Sequence, residues 1–205
     1  MKREEKNILS RQKIIENATK EFAQQGYGLS SVNTICSTGK ISKGILYHYF
    51  RDKDQIYLTC IKECFDNLTN YLKENTSLDT NNVKECFQTY FDVRYMFFKQ
   101  NPLYQRLFSE AVISPPTHLQ NDIKEIKKEF DTFNVHLLDE LLDHVKLRSD
   151  ITRNEVIETF RQYQDFINAK YQMIGSNDIN IESREKSCNR ALTILLYGVI
   201  TRGDE

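Results

Sequence analysis

An all-α fold is predicted for this chain, with an N-terminal three-helix head of helix-turn-helix type joined by a long helix to a larger helical body. Three observations carry the expectation. The 205 residues hold only seven Gly and three Pro, too few to punctuate a fold of strands and turns. Apolar residues recur at intervals of three and four along most of the chain, the spacing of helices with one buried face. Residues 29–53, LSSVNTICSTGKISKGILYHYFRDK, compress two short amphipathic helices and a tight turn into one segment. No strand pattern, internal repeat or low-complexity tract appears.

The elements follow in order. Ile14, Ala18 and Phe22 form the inner face of a first helix over 10–25, which Gly26 ends. Ser30 or Ser31 caps a second helix with Val32, Ile35 and Cys36 on its apolar edge, Gly39 and Lys40 make the turn, and Ser42 caps a third helix with Ile45, Leu46, Tyr49 and Phe50 facing inward. Asp52 caps a fourth that runs through Ile56, Cys60, Ile61, Phe65, Leu68 and Leu72, about 23 residues and roughly 34 Å long. After the polar stretch 75–81 comes a helix bearing Val83, Phe87, Tyr90, Phe91, Tyr95 and Phe98, and then a short one capped by Asn101, opened by Pro102 and carrying Leu103, Leu107 and Phe108. Ser114-Pro115-Pro116 breaks the chain. Thr117 and Gln120 have capping-box spacing ahead of the pattern Leu119, Ile123, Ile126, Phe130, Phe133, Leu137, Leu138, Leu141 and Val145, a helix of about seven to eight turns. Thr152 and Glu155 repeat that spacing before Val156, Phe160, Tyr163, Ile167 and Tyr171, and a last helix over 183–201 carries Ala191, Leu192, Leu195, Leu196 and Val199.

Charge is distributed unevenly. Residues 1–53 contain ten Lys or Arg against five acids, a net of +5; of the chain's 28 basic and 29 acidic residues, 18 and 24 remain beyond them, a net of −6. A basic head on an acidic body suits contact with phosphates at one end and discourages nucleic acid from coating the other. A head of this type places the start of its second short helix in the major groove of duplex DNA, so Ser42, Lys43, Gly44, Tyr47 and His48 face outward.

Ser-Val-x-x-Ile-Cys, then Ile-Ser-Lys-Gly-Ile-Leu-Tyr-His-Tyr-Phe, then Lys53 resemble the N-terminal domain of the TetR/AcrR family of bacterial transcriptional regulators. The resemblance covers roughly residues 10–57, with Ile14, Ala18, Phe22 and Gly26 matching the family's first helix, whereas the rest is similar only in helical layout and length. One departure is visible: the family usually has Ala-Gly where Gly39-Lys40 stands, so Lys40 falls where a positive φ is expected. The resemblance implies that Tyr47 and Lys53 hold phosphates, the latter reinforced by the positive end of its helix. It assigns Lys43, Asn33 and His48 to base edges, lets Gly44 bring the backbone close, and completes the DNA-facing set with Ser31 and Ser42. It further implies a repressor, released from a palindromic double-stranded DNA operator when a small-molecule effector binds the C-terminal domain. The expected division is 1–53 for DNA and 54–205 for ligand binding and dimerisation.

Within the body, aromatic residues crowd 87–108. A stripe at helical spacing is ordinarily core, but the resemblance raises Phe87, Phe91, Arg94, Tyr95, Phe108, Phe130 and Tyr163 as ligand-lining residues. Arg94 is read first as an ordinary surface arginine; pointing inward, it would need an anionic partner. The nearly all-round apolar stretch ALTILLYGVI at 191–200 leaves a face to be covered, so a homodimer through the last two helices is expected. Cys60 and Cys64 lie four apart on an inner stripe, where cysteine packs as a small hydrophobe. His136 and His144 lack a third ligand nearby, so neither metal nor another cofactor is expected. No phosphate loop, HExxH or G-x-S-x-G motif marks an enzyme. The opening MKREEKN lacks an apolar signal region and no apolar run approaches the ~20 residues of a membrane span, so a cytoplasmic protein without membrane contact is expected. The competing reading is a helical small-molecule-binding or thiol-redox-sensing protein without sequence-specific DNA binding.

Overall fold

The computed structural model describes residues 3–76, 83–174 and 181–199; within these spans some side chains, among them those of Tyr171, Leu192, Leu195, Leu196 and Val199, lie outside the described set. The helices are α1 Arg3–Leu29, α2 Val32–Gly39, α3 Lys43–Tyr49, α4 Lys53–Asn75, α5 Val83–Gln100, α6 Pro102–Ile113, α7 Gln120–Leu142, α8 Arg153–Ile174 and α9 Ile181–Val199. A 3-10 turn, Thr117–Leu119, precedes α7. Among the described residues there is no strand.

Two compact units form. The first comprises 1–66 and 101–127, the second 67–100 and 128–205. In the first, α1 packs on α2, α3 and α6. Its interior is Ile14, Ala18, Phe22, Ile35, Leu46, Phe50, Ile56, Tyr57 and Phe65, each at most 2% exposed; at a few kcal/mol for each large apolar side chain withdrawn from water, this burial is the main stabilising term. In the second, α9 packs on α5 and α8.

Helix ends follow their capping residues, with three differences from the sequence reading. First, α1 starts seven positions before Ser10 and continues to Leu29, broken at Gly26 by φ 71° and ψ 169°. The break leaves the Ala23 carbonyl and the Tyr27 amide without each other. The first unit's α6 supplies both substitutes: Arg106 Nη1 donates to the Ala23 carbonyl at 3.5 Å, and Glu110 Oε1 accepts from the Tyr27 amide at 2.7 Å. Second, Thr117 and Gln120 do not form a capping box. Pro116 precedes a 3-10 turn and makes no side-chain cap bond, since its fixed φ starts the turn where the backbone already bends. Third, α7 stops at Leu142, short of Val145, as the Asp143 and His144 amides turn back to the Glu140 and Leu141 carbonyls.

The Asp52 and Thr152 caps form as the sequence requires, and that of Asn101 does not. Asp52 Oδ1 accepts from the Gln55 amide at 2.8 Å, while Gln55 Oε1 accepts from the Arg51 amide at 2.6 Å. Thr152 and Glu155 make a reciprocal box, Thr152 N to Glu155 Oε2 at 2.7 Å and Glu155 N to Thr152 Oγ1 at 3.3 Å. Pro102 occupies the first turn of α6, but Asn101 makes no side-chain cap bond. Beyond the box, Arg153 bonds Asp139 and Asp143, fastening the start of α8 to the end of α7.

Candidate nucleic-acid interface

The turn between α2 and α3 is built from local chemistry. Ser31, not Ser30, is the cap: its backbone is extended and its Oγ accepts from the Asn33 amide at 3.1 Å. Ser30 is buried instead, donating to the Tyr27 carbonyl at 2.9 Å. Glu21 of α1 accepts from the Ser31 amide at 3.0 Å, which pins the start of α2 to α1. At the other end Lys40 takes the left-handed conformation, φ 50° and ψ 47°, and the Ile41 amide reaches back to the Cys36 carbonyl at 2.9 Å. A lysine therefore does what the family's glycine does. Gly39 serves close approach: a Cβ there would lie 2.7 Å from Ile41 Cδ1 and 3.1 Å from Asn17 Nδ2.

Ser42 caps α3 by accepting from the Ile45 amide at 3.2 Å. The seven-residue helix rests on Leu46 and on Phe50, which are 0% and 2% exposed. Asn33, Ser42, Lys43, Gly44, Tyr47 and His48 are consequently exposed together, and Ser31 is half-buried. Ile45 departs from the expectation of an inward side chain, being 48% exposed. Two helical turns have room for one buried column, which Leu46 and Phe50 already fill. Tyr49 is half-buried, its hydroxyl donating to Asn7 Oδ1 at 3.1 Å. A Cβ on Gly44 would meet only Ser42 Oγ, at 4.0 Å, so nothing in the head's own packing requires glycine there and the surface is left flat for an external backbone.

Lys53, at the start of α4, is half-buried with its ammonium 4.3 Å from the centre of the Tyr27 ring. The Tyr27 hydroxyl donates to Asp54 Oδ1 and lies 3.2 Å from His118 Nε2. Burial, then the bond to Asp54, pushes the Tyr27 phenol up to about 12. Next to Lys53, the bond from the Gln55 amide and then that from Arg51 hold the Asp52 carboxyl below its usual range. Deeper, Glu110 Oε2 accepts from the Tyr57 hydroxyl at 3.0 Å, and burial raises the Glu110 carboxyl despite that bond.

The ligand-lining candidates are distributed between the units. Phe108 lies in the first, 5.4 Å from Phe65 between ring centres. In the second, Phe87, Phe91 and Phe130 are buried and Tyr95 is half-buried. Arg94 is not a surface arginine. It is 4% exposed, its Nη1 donates to the Tyr90 hydroxyl at 3.2 Å, and its guanidinium lies 5.4 Å from the Tyr90 ring and 5.1 Å from that of Phe91. Tyr90 in turn donates to Asn134 Oδ1 at 2.6 Å. The aromatic faces lower the cost of burying the cation, which helical periodicity alone does not reveal. Tyr163 lines an open groove of about 620 Å³ with Glu182, Ser183, Lys186, Ser187, Arg190, Ala191 and Ile194.

All five cysteines are reduced and buried. Burial pushes the Cys60 thiol up to about 12 and raises those of Cys64 and Cys36, the opposite of what a reactive thiolate needs. Among the described residues no cluster of three or more His, Cys, Asp or Glu could hold a metal, and no helix is long and apolar enough to cross a membrane.

Residues 14–60 match the model for the bacterial regulatory proteins of the TetR family. The chain is 28% identical over 132 residues to IcaR of Staphylococcus epidermidis, a negative transcriptional regulator of the biofilm operon icaADBC, covering 64% of this chain and 67% of that protein. It is 29% identical over 103 residues to the IcaR of Staphylococcus aureus, covering 50% and 54%. Among solved structures it is similar to FadR from Bacillus subtilis in complex with stearoyl-CoA, with a TM-score of 0.68 at 17% identity, 88% of this chain and 96% of that one being covered. A TetR-like transcriptional regulator from Rhodococcus superposes with a TM-score of 0.64 at 15% identity, covering 92% and 96%. Residues 14–60, with the Ser42-capped helix among them, thus match the DNA-binding domain of the TetR family of bacterial regulatory proteins, and the chain shares its fold with solved TetR-like regulators.

Proposed function

We propose that the protein is a transcriptional repressor that reads a palindromic DNA operator with residues 1–53 and leaves it when a small molecule binds within 54–205. It acts by binding rather than by catalysis. One observation carries the reading: α3 buries only Leu46 and presents Lys43, Gly44, Tyr47 and His48 to the outside, a pattern that intramolecular packing does not require and a major groove does. Lys53 and Tyr47 hold phosphates, Lys43, Asn33 and His48 read base edges, and Ser31 and Ser42 set the two short helices. That work places the protein in the cytoplasm, where bacterial DNA is.

A homodimer through α8 and α9 supplies the two-fold axis a palindrome needs. Phe166 and Ile194, 63% and 56% exposed, favour it, since large apolar side chains on paired helices gain by being covered. The effector reading rests on Arg94, buried in the second unit against the rings of Tyr90 and Phe91, and on Phe87, Tyr95, Phe130 and Tyr163 of the same unit, whereas Phe108 packs in the first unit and leaves the set; a buried guanidinium beside aromatic rings suits an amphipathic acid. The thiol-sensing alternative loses its support in the buried, protonated cysteines.

A salt titration tests the reading. Operator binding loses affinity steeply as salt rises yet keeps a preference over random duplex on the order of a thousandfold. A protein without sequence-specific contacts shows no such preference at any salt concentration.

A further inference from the structure

Tyr27 is absorbed by neither the helix-turn-helix nor the effector reading, yet more of the first unit converges on it than on any proposed DNA contact. It follows the break at Gly26. Its amide is held by Glu110 at 2.7 Å, its hydroxyl donates to Asp54 and meets His118 Nε2 at 3.2 Å, and its ring stacks on Phe22 and meets Tyr57 edge-on at 5.0 Å. Over the ring lies the Lys53 ammonium at 4.3 Å. A lysine has four rotatable bonds and loses much rotamer freedom when it is fixed on a phosphate; an aromatic face beneath its ammonium holds it in place beforehand while leaving its three donors open.

We propose that Tyr27 is a positioning residue for DNA binding: its ring is the platform that aims the Lys53 ammonium at a backbone phosphate, and Glu110 and His118 set the platform. Gly26 is part of the device, because a Cβ there would lie 3.1 Å from Glu110 Oε1 at a φ of +71°. The platform rests on the DNA-binding reading and adds to it a dependence of a phosphate contact on α6 and on the turn before α7. The ionisable groups around Tyr27 are then Asp52, Lys53 and Asp54 from the start of α4, Glu110 from α6 and His118 from the turn before α7.

The test is a double-mutant cycle on the full chain, using a duplex selected by the wild-type protein and a random duplex of equal length. Lys53→Ala weakens both about fivefold and lowers the salt slope by about one. Tyr27→Leu, which removes the ring, does the same, and adding it to Lys53→Ala has little further effect. Tyr27→Phe keeps the ring and retains most of the affinity. Thermal unfolding of each variant checks that the head is folded. A residue that only stabilises the head lowers the melting temperature but leaves the salt slope intact and adds fully to Lys53→Ala; that result overturns the platform. If Lys53→Ala itself changes neither affinity nor slope, the DNA-binding reading of Lys53 fails, and the platform with it.

Discussion

Lys40 adopts a conformation that a β-carbon disfavours, φ 50°, at the one turn on which the geometry of α2 and α3 depends. Relieving it should stabilise the head. Lys40→Gly is expected to raise stability by up to ~1 kcal/mol in urea unfolding, and Lys40→Val to lower it by more, because branching at Cβ adds to the left-handed penalty. The buried thiols give a second expectation with a definite sign. Their folded-state pKa values lie above those of the unfolded chain, so their stabilising contribution is complete below about pH 8.5 and is lost as pH rises past it. Unfolding followed from pH 7 to 10 should show this decline, and Cys60, Cys64 and Cys36 should react with an aromatic disulfide only at the rate of unfolding. Rapid native-state reaction of these three would revive thiol sensing.

Helical periodicity is blind to how many side chains a short helix can bury and to which rings can receive a cation. Periodicity placed Leu46 and Phe50 inward and did the same for Ile45, because it reports which face is apolar rather than how many side chains two helical turns can bury. It left Arg94 outside for the converse reason: the rings of Tyr90 and Phe91 that accept the guanidinium look like ordinary core when read one by one.

At the scale of elements, α1 is the informative case. Its end at Gly26 was legible from the glycine, but the repair of the break was not, since Arg106 and Glu110 lie 83 residues from the backbone groups they bond. Gly26→Ala should destabilise the first unit by about 1–3 kcal/mol, combining a positive φ with a close contact to Glu110. Glu110→Gln separates charge from shape. The folded pKa of Glu110 is raised by burial, so wild type gains stability relative to the glutamine variant as pH falls through that pKa and loses the gain as pH rises. Melting curves at pH 4.5 and 7.5 give the comparison, and a pH-independent difference would show that Glu110 titrates alike in the folded and unfolded chain. Capping behaves similarly: the Thr152 and Asp52 caps follow from spacing alone, whereas Thr117 failed because Pro116 had already committed the backbone to a 3-10 turn.

At the scale of the whole molecule, reading a palindrome requires two heads and a body that controls them. Phe166→Asp together with Ile194→Asp should weaken self-association by about 30-fold or more, a change of ~2 kcal/mol, measured by sedimentation, and operator affinity should fall with it. Arg94→Met should leave operator binding intact while blunting release by amphipathic acids, whose coupling in wild type is expected to change operator affinity about 5–150-fold. Continued release in this variant would remove Arg94 from the effector site.

The central claim, that 1–53 reads a specific duplex, is tested most directly by sequencing the fragments that the purified protein retains from a random duplex pool, then measuring wild type and two variants on the enriched site and on unselected DNA. The enriched site should be a palindrome with half-sites about one or more helical turns of ~34 Å apart. Lys53→Ala should weaken both duplexes equally, and Lys43→Ala should cost about 1–3 kcal/mol on the enriched site alone. A pool that yields no enriched sequence, or variants that bind both duplexes as wild type does, would contradict the claim.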